Sequence, residues 1–422
     1  MNKILKNIIG AAVLVVILLV FYLLTFQLSH ERLVIKESKA VISVGDLNSK
    51  KVNAYYELYE KATQTDLEEA KKWTKYIKGM DLIYYNDSND ENQSEDKEIM
   101  VVNLGWLYPI AKFKQGEYFD DLGKNYFSLK EVYQKQLEED YDVDKKIYMT
   151  NYKGYYFVSD DVMKLSDYMK LLVKKEINKN ISSKMKGDTL GEAVIDLEEF
   201  TQGLDAIKIN VDYEKNKLSM NGYLYGDLEF SKYLNGIEKK DRKFTKYMGK
   251  DKIYITNTDF KGLAVFMRKN VNSEINSMLS LVKMFTGKDF EDYMDKVDGE
   301  MIYDYVKNQL LIPVKEVKDF KKLIEIFAKK DGDKYILGNG ETIEIKDNVI
   351  YYNGIMSEGS ITPKEDEFMN ISLNLGLYNP VLKDIYVDMG GKVEANKIKI
   401  RTTITDGELL EIYNRMEGEK ND

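Results

Sequence analysis

Two hydrophobic spacings run through the chain after residue 40, and they predict strands and helices in a repeated order. Alternating apolar and polar residues predict one strand pair at 81–85 and 99–104, and another at 146–150 and 155–159. Between the pairs, an apolar stripe predicts a helix over 128–139. The first copy of the pattern is therefore strand, strand, helix, strand, strand.

A second copy of this order follows later in the chain. Strands are predicted at 300–306 and 309–314, a helix at 317–328, and further strands at 342–346 and 349–353. The apolar stripe of this helix consists of Val317, Phe320, Leu323, Ile324 and Phe327. Each helix is expected to cover one face of its sheet.

Both copies also begin and end alike. Each opens with a short strand followed by a helical region, predicted at 40–44 with 50–78 and at 253–256 with 259–296. Each closes with two alternating runs joined by a polar turn, at 204–227 and at 382–406, which predicts an antiparallel hairpin. The two copies could represent a true duplication. The alternative, that two α+β segments look alike because few secondary-structure patterns exist, stays open.

The domain prediction follows from these elements. We predict a first α+β repeat at 40–238, a second at 251–416, and a polar tail at 417–422. The charged segment 239–250 lies between the repeats, and residues 29–39 are expected to form a stalk or an entering strand.

The longest apolar run of the chain lies near its start. Residues 8–26 carry no charge and follow Lys3 and Lys6; as a helix, this run covers the roughly 30 Å of a bilayer core. A cleaved signal is the alternative, but no Ala-x-Ala pattern follows the run. We therefore expect an uncleaved membrane anchor at 1–28. The predicted fold class is α+β, with an N-terminal transmembrane helix followed by two similar lobes of antiparallel sheet covered by helices.

The cellular location of the chain is inferred from the charged residues on either side of the apolar run. Basic residues occur on both sides, since Arg32, Lys36 and Lys39 follow it, so their count barely decides the orientation. The short basic N-terminus is typical of export signals. We expect a single-pass cell-membrane protein with most of the chain extracytoplasmic. Abundant Lys, Ile, Asn and Tyr with only 4 Pro favour a bacterial source, and hence the bacterial envelope.

Composition excludes several classes of function. The chain has 71 acidic and 62 basic residues, a formal net charge of -9, so no nucleic-acid partner is expected. It contains no cysteine, which excludes disulfides, thiolate metal sites and cysteine nucleophiles. Its 44% hydrophobic content suffices for a packed core.

Candidate catalytic and cofactor-binding motifs are few. The single histidine, His30, follows the apolar run and is expected at the membrane interface, outside any triad or multi-histidine metal site. No GxxxxGK[ST] sequence occurs, and no GxGxxG opens a helix. The GNG sequence at 338–340 favours a hairpin turn. We predict no catalytic residue, no cofactor-binding residue, no metal ligand and no cofactor.

Two further features have alternative interpretations. The acidic stretch 87–98 places oxygen-bearing side chains at calcium-loop spacing, but Asn92 replaces the required glycine, which favours a solvated hairpin loop. Tyrosine doublets at 84–85, 155–156 and 351–352 could stack on a glycan or peptide, although packing in a half-buried sheet is the expected role. The carboxylate pairs at 120–121, 138–139 and 160–161 are adjacent in sequence and suit caps better than acid/base pairs.

Three segments carry a resemblance to a known group of proteins. These are the anchor, the GYYFVSDD segment at 154–161 and the hairpin LDAIKINVDYEKNKLSMNGYLYGD at 204–227. Together they resemble uncharacterised bacterial N-terminally membrane-anchored proteins with a duplicated α+β domain of unknown function. The resemblance implies no activity, and no site residues follow from it.

The function expected from all this is non-catalytic. The chain is predicted to bind or scaffold another envelope component, a protein, lipid or glycan, while its N-terminal helix contacts the lipid bilayer. An envelope hydrolase that uses only Asp and Glu carboxylates is the alternative. A sensory ectodomain is a third, weaker interpretation, since only a few residues precede the apolar run.

Overall fold

The structure is a computed structural model of the 422-residue chain. It describes residues 29–47, 49–63, 67–86, 97–141, 143–185, 189–198, 204–237, 242–270, 273–359, 361–363, 366–395 and 397–420. These residues form a large antiparallel sheet of 20 strands, together with α-helices and short 3-10 turns.

The described α-helices vary in length from one turn to four turns. They are α1 (Lys50–Thr63), α2 (Glu68–Thr74), α3 (Tyr108–Tyr118), α4 (Glu131–Tyr141), α5 (Val162–Lys174), α6 (Lys179–Ser182), α7 (Phe260–Asn270), α8 (Ser273–Thr286), α9 (Phe290–Met294), α10 (Lys318–Phe327) and α11 (Asp406–Lys420).

The strands fall into two series along the chain. The first series is β1 (Ser38–Val44), β2 (Gly79–Tyr85), β3 (Lys97–Asn103), β4 (Phe119–Gly123), β5 (Tyr126–Leu129), β6 (Tyr148–Tyr152), β7 (Tyr155–Ser159), β8 (Gly191–Asp196), β9 (Leu204–Glu214) and β10 (Lys217–Gly226). The second is β11 (Lys252–Ile255), β12 (Met301–Asp304), β13 (Gln309–Pro313), β14 (Ala328–Asp331), β15 (Lys334–Leu337), β16 (Thr342–Lys346), β17 (Val349–Tyr352), β18 (Met369–Asn374), β19 (Tyr386–Glu394) and β20 (Lys397–Thr405).

The chain divides into two compact units. The first extends to Leu197 and also includes Lys208–Tyr213 of β9; the second comprises Glu198–Ile207 and everything from Glu214 onward. Strand β9 therefore contributes residues to both units. The domain bounds predicted from the sequence remain predictions.

In the first unit, adjacent strands follow the order β8, β1, β2, β3, β7, β6, β5, β4, all antiparallel. Its core is rich in aromatic residues. Tyr168 of α5 is fully buried and lies 5.2 Å from Tyr85 and 5.9 Å from Phe157, measured between ring centroids. The Tyr168 hydroxyl donates to the backbone carbonyl of Leu33, so α5 is joined to the start of the described chain.

In the second unit, the corresponding order is β18, β11, β12, β13, β17, β16, β15, β14, again antiparallel throughout. Strands β19, β20 and β10 continue the row beyond β18. Helix α10 buries Phe320 and Ile324 one turn apart, beside Tyr293 and Val297. That spacing is the apolar stripe predicted from the sequence.

The two strand orders are the same when β1 is matched with β11 and each later strand with the strand ten places on. The match corrects one sequence-based correspondence, because the counterpart of α10 is α3 and not the helix predicted at 128–139. Both α3 and α10 follow the third strand of their series and lead directly into a short hairpin. Helix α4 exists, at Glu131–Tyr141, but lies between β5 and β6.

Several local predictions are confirmed by the strand pairings. The four predicted pairs form as β2 with β3, β6 with β7, β12 with β13, and β16 with β17. The β16–β17 turn places Asp347 and Asn348 at φ 50° and 60°. Two consecutive left-handed residues fit the right-handed twist of the flanking strands, and Asp and Asn tolerate that conformation.

The expected membrane anchor needs correction. Within the described ranges, no helix is long and apolar enough to cross a membrane. The longest, α11, has 15 residues, which span about 22 Å against a bilayer core of about 30 Å. Residues 1–28, where the anchor was predicted, lie outside the described residues. The transmembrane part of the fold class, the signal anchor and the single-pass cell-membrane location are therefore withdrawn.

The residues after the predicted anchor belong to the folded body. Leu33, Val34 and Ile35 are each 1% exposed, and Ile35 forms a β-bridge with Ile177. Residues 29–39, expected as a stalk or an entering strand, thus begin the packed structure and lead into β1.

Candidate functional site

A row of buried polar residues crosses three neighbouring strands of the first unit. The register of β1 places Ser43 opposite Asp81 of β2 on one side and opposite Glu192 of β8 on the other. Directly opposed residues point to the same face of a sheet. All three are buried, and the sheet therefore holds two carboxylates flanking one hydroxyl in its interior.

His30 completes one side of this row. Its Nε2 atom lies 2.8 Å and 2.9 Å from the two carboxylate oxygens of Asp81, and the Ser43 hydroxyl donates to Asp81 Oδ1 at 2.5 Å. His30 begins a 3-10 turn that ends at the buried residue Leu33. Asp81 is only 7% exposed, so these contacts replace most of its lost hydration.

Lys208 completes the other side. Its ammonium lies 2.6 Å from Glu192 Oε2, and both side chains are 1% exposed. The ammonium also donates to the backbone carbonyl of Lys184. A buried carboxylate needs a close cation, and Lys208 is supplied by the part of β9 that belongs to this unit.

These contacts change the acidity of two neighbouring groups. The hydrogen bond to Asp81 raises the pKa of His30 above its ordinary value, burial opposes this, and the negative charges of Asp81 and Glu192 add to it. Burial raises the pKa of Tyr155 to about 12, and the nearby Asp81 charge contributes.

The row borders a cavity of about 270 Å³. Strand pairing brings its wall together, because Asn103 of β3 lies opposite both Gly79 of β2 and Tyr155 of β7. The polar groups lining it are His30, Ser43, Asp46, Lys78, Asp81, Asn103 and Tyr155. With both cationic and anionic groups in its wall, the cavity suits a small polar molecule.

The hydrogen bonds do not form a serine hydrolase relay. In that relay, histidine accepts the serine proton and a carboxylate orients the histidine. Here the Ser43 hydroxyl donates to Asp81, and His30 Nε2 faces the same carboxylate. Among the described residues, no group of three or more His, Asp or Glu side chains is placed to hold a metal ion.

The expected position of His30 was wrong. It was predicted at a membrane interface, whereas its ring, 37% exposed, is hydrogen-bonded to the buried Asp81 carboxylate of β2. The signal that could have found the pair lies in β2, where Asp81 shares the buried register with Ile83 and Tyr85. A carboxylate in a buried register requires a partner.

The structure also shows where the predicted turn, tyrosine and carboxylate features lie. The GNG turn joins β15 to β16 as predicted, with Gly340 at φ +86°. Tyr155, Tyr156 and Tyr351 are buried, which agrees with packing. Asp161 caps α5 by accepting a hydrogen bond from the Met163 amide, as expected of a carboxylate at a helix start. Most of the acidic stretch, residues 87–96, lies outside the described residues.

Exposed apolar side chains form a second kind of candidate site. On α3 and the strand after it, Phe113 is 88% exposed, and Ile110, Tyr118 and Leu122 are also exposed. Only Tyr108 and Gln115 of α3 are buried, since the helix contacts the core through one narrow stripe. Large apolar groups are thereby presented to solvent.

The second unit exposes a comparable set. Leu281, Met284 and Phe285 lie on one side of α8 and are exposed, as is Phe327 at the end of α10. The rings of Phe285 and Phe327 meet edge to face at 5.9 Å between centroids. We call these four residues the α8–α10 apolar surface.

No family model matches this chain. No curated protein matches it either. Among solved structures, crystal form I of TP0453 has a TM-score of 0.28 and 8% identity, covering 48% of this chain and 80% of that one. Crystal form IV has a TM-score of 0.27 and 9% identity (46% and 79% covered), and crystal form III has 0.27 and 11% (51% and 83%). Similarity this weak carries no argument, and the resemblance stated above stays a prediction.

Proposed function

We propose that this chain is a non-catalytic protein that binds or scaffolds a macromolecular partner through exposed apolar side chains. The observation that carries the proposal is the exposure of Phe113, at 88%, together with the exposure of Ile110, Tyr118 and Leu122. Burying an aromatic side chain in the core stabilises a fold, so a set kept in solvent is better explained by binding. Aromatic anchors supply much of the affinity at interfaces.

Two further observations support this reading. The counterpart of α3 in the second unit, α10, also ends in an exposed aromatic residue, Phe327. The buried row around Asp81 supports structure better than catalysis, because its hydroxyl and imidazole both face the same carboxylate. The partner is a protein, a lipid or a glycan.

The test compares serine substitutions of two large, exposed apolar side chains, one on α3 and one on α5. Phe113→Ser removes an anchor from α3, and Met163→Ser changes an exposed residue of α5 as the control. We expect a partner recovered from source-cell extract with the native protein, and rebound after its purification, to be lost with Phe113→Ser and kept with Met163→Ser. Equal recovery by both variants contradicts the proposal, as does turnover of a cell-wall or lipid substrate by the purified protein.

A further inference from the structure

The cavity beside Asp81 contains a position of the sheet that has no side chain. Gly79 of β2 lies opposite Asn103 of β3, and Asn103 lies opposite Tyr155 of β7. This row lies two residues along the strands from the row that contains Asp81, so its residues share the Asp81 face. Apart from its chain neighbours, a Cβ atom added to Gly79 meets one atom within 4 Å, the Val44 carbonyl oxygen at 3.4 Å. The space in front of Gly79 is therefore open.

Tyr155 brings a hydroxyl group to the wall of this cavity. The side chain is only 5% exposed, and its hydroxyl forms no hydrogen bond with any residue in the described ranges. Burial raises the pKa of Tyr155 to about 12, so the hydroxyl keeps its proton at neutral pH and acts as a donor. A buried donor without an acceptor is costly. A ligand with an acceptor oxygen removes that cost.

Two further donors line the same cavity. The Asn103 side-chain oxygen accepts a hydrogen bond from the Gly105 amide at 2.8 Å, which leaves the Asn103 amino group as a donor. The backbone amide of Lys78 donates to the Asn103 carbonyl, so the two residues are held side by side. Across the part of the chain that the structure describes, neither the Asn103 amino group nor the Lys78 ammonium has an acceptor. The wall thus offers three donors, one of them cationic.

The carboxylates of the wall limit the charge of a ligand. Asp81 already has partners, because it accepts a hydrogen bond from Ser43 and lies against His30 Nε2. Asp46 adds a second carboxylate to the wall. A ligand with two negative charges is repelled by these groups, whereas a single negative charge is balanced by Lys78. The wall therefore suits a monoanion with acceptor oxygens.

We propose that this cavity binds a small molecule through a single carboxylate group. The carboxylate oxygens accept hydrogen bonds from the Tyr155 hydroxyl and the Asn103 amino group, and Lys78 supplies the positive charge. The cavity volume of about 270 Å³ lies at the lower end of ligand pockets, which limits the ligand to a few heavy atoms beyond the carboxylate. The inference goes beyond the proposed function, since none of the described α3 residues lines this cavity.

His30 reports on binding, because it is the only histidine of the chain and lines the cavity. The imidazole proton resonances of the full chain are followed by NMR while sodium chloride is replaced stepwise by sodium propionate at constant pH. Propionamide has nearly the same shape without the charge, and inorganic phosphate brings a larger negative charge. We expect a saturable shift with propionate, and binding at least about tenfold weaker for propionamide and phosphate.

Two neighbouring tyrosines provide a matched pair of variants. Tyr155→Phe removes the hydroxyl donor and keeps the ring. Tyr156→Phe makes the same change at the next residue of β7, which is 7% exposed, has a buried hydroxyl without a partner in the described ranges, and does not line the cavity. We expect Tyr155→Phe to weaken propionate binding at least about tenfold, because it removes a hydrogen bond to a charged group. Tyr156→Phe is expected to leave the affinity unchanged.

A third variant tests the charge. Lys78→Gln is expected to weaken propionate binding about threefold, a modest loss because Lys78 is exposed and water screens its ion pair. Lys174→Gln changes an exposed lysine of α5 that does not line the cavity, and is expected to bind propionate as the native protein does.

Three results overturn the carboxylate proposal. These are His30 resonances that do not move up to about 0.1 M propionate, propionamide or phosphate binding as tightly as propionate, or equal propionate affinity in the Tyr155→Phe and Tyr156→Phe variants. Urea unfolding of both variants verifies that they fold. None of these results bears on the Phe113 comparison, so failure of the carboxylate site is distinguishable from failure of the proposed function.

Discussion

Removing the ammonium from the buried Lys208–Glu192 pair should strongly destabilise the first unit. Lys208→Met keeps a side chain of similar length and leaves no large cavity, but the Glu192 carboxylate, 1% exposed, loses its cation at 2.6 Å. Breaking a buried pair from one side costs about 3–5 kcal/mol of unfolding free energy, because the remaining charge is uncompensated. Replacing both residues, as Glu192→Leu with Lys208→Met, should recover stability to within about 2 kcal/mol of the native protein.

Urea unfolding followed by tryptophan fluorescence measures this effect in the correct unit. The sequence contains 2 tryptophans, Trp73 and Trp106, and both belong to the first unit. Lys135→Met is the control, since Lys135 forms an exposed pair with Glu131, and no measurable change is expected. A loss below about 1 kcal/mol for Lys208→Met would refute the reasoning, as would a double variant no more stable than the single one.

Two further predictions concern single residues. The folded-state pKa of His30 lies above its ordinary 6.5 because of Asp81, so the stability it contributes is complete below pH 6.5 and is lost as pH rises through the raised pKa. NMR titration of the only histidine should show that pKa, and Asp81→Asn should lower it; an unchanged value contradicts the assignment. Gly390→Ala places a Cβ atom 2.2 Å from the carboxylate of Glu367, which is 2% exposed, and should cost about 1–3 kcal/mol in thermal or urea unfolding. Gly222→Ala, whose Cβ meets nothing closer than 3.9 Å, should stay within about 0.5 kcal/mol of the native protein, and equal losses for the two would count against the clash.

The strand pairs were predictable because each combines alternation with a short polar turn. The runs that became β16 and β17 have Asp347 and Asn348 between them, so both the strands and their connection are visible in a single stretch of sequence. The order of those strands was not predictable, because β3 pairs with β7 across three intervening strands. Pairing at that distance depends on tertiary packing.

Helix α3 shows why a whole element escaped sequence analysis. It contains Pro109 and Gly116, both poor helix formers, and its largest apolar residue, Phe113, points into solvent. The periodic stripe used to recognise a helix is therefore weak. The apolar stripe at 128–139 was clearer. The helix predicted there was therefore matched to α10 instead of α3, and this misaligned the two copies.

The candidate site was hidden by sequence distance. His30 and Asp81 are 51 positions apart, and the pairing of β1 with β2 brings the strand carrying Ser43 beside Asp81. No local motif connects them. The exposed apolar surfaces were missed for a different reason, since a hydrophobic residue in a sequence is assigned to the core by default.

Strand β9 has a consequence for mapping activities onto parts of this protein. Lys208–Tyr213 belong to the first unit although the chain has already entered the second at Glu198. A truncation after Leu197 would delete Lys208 and remove the ammonium that lies 2.6 Å from the buried Glu192 carboxylate. Deletion mapping that cuts at one peptide bond would then record misfolding as loss of function, whereas point substitutions in the full-length chain avoid this error.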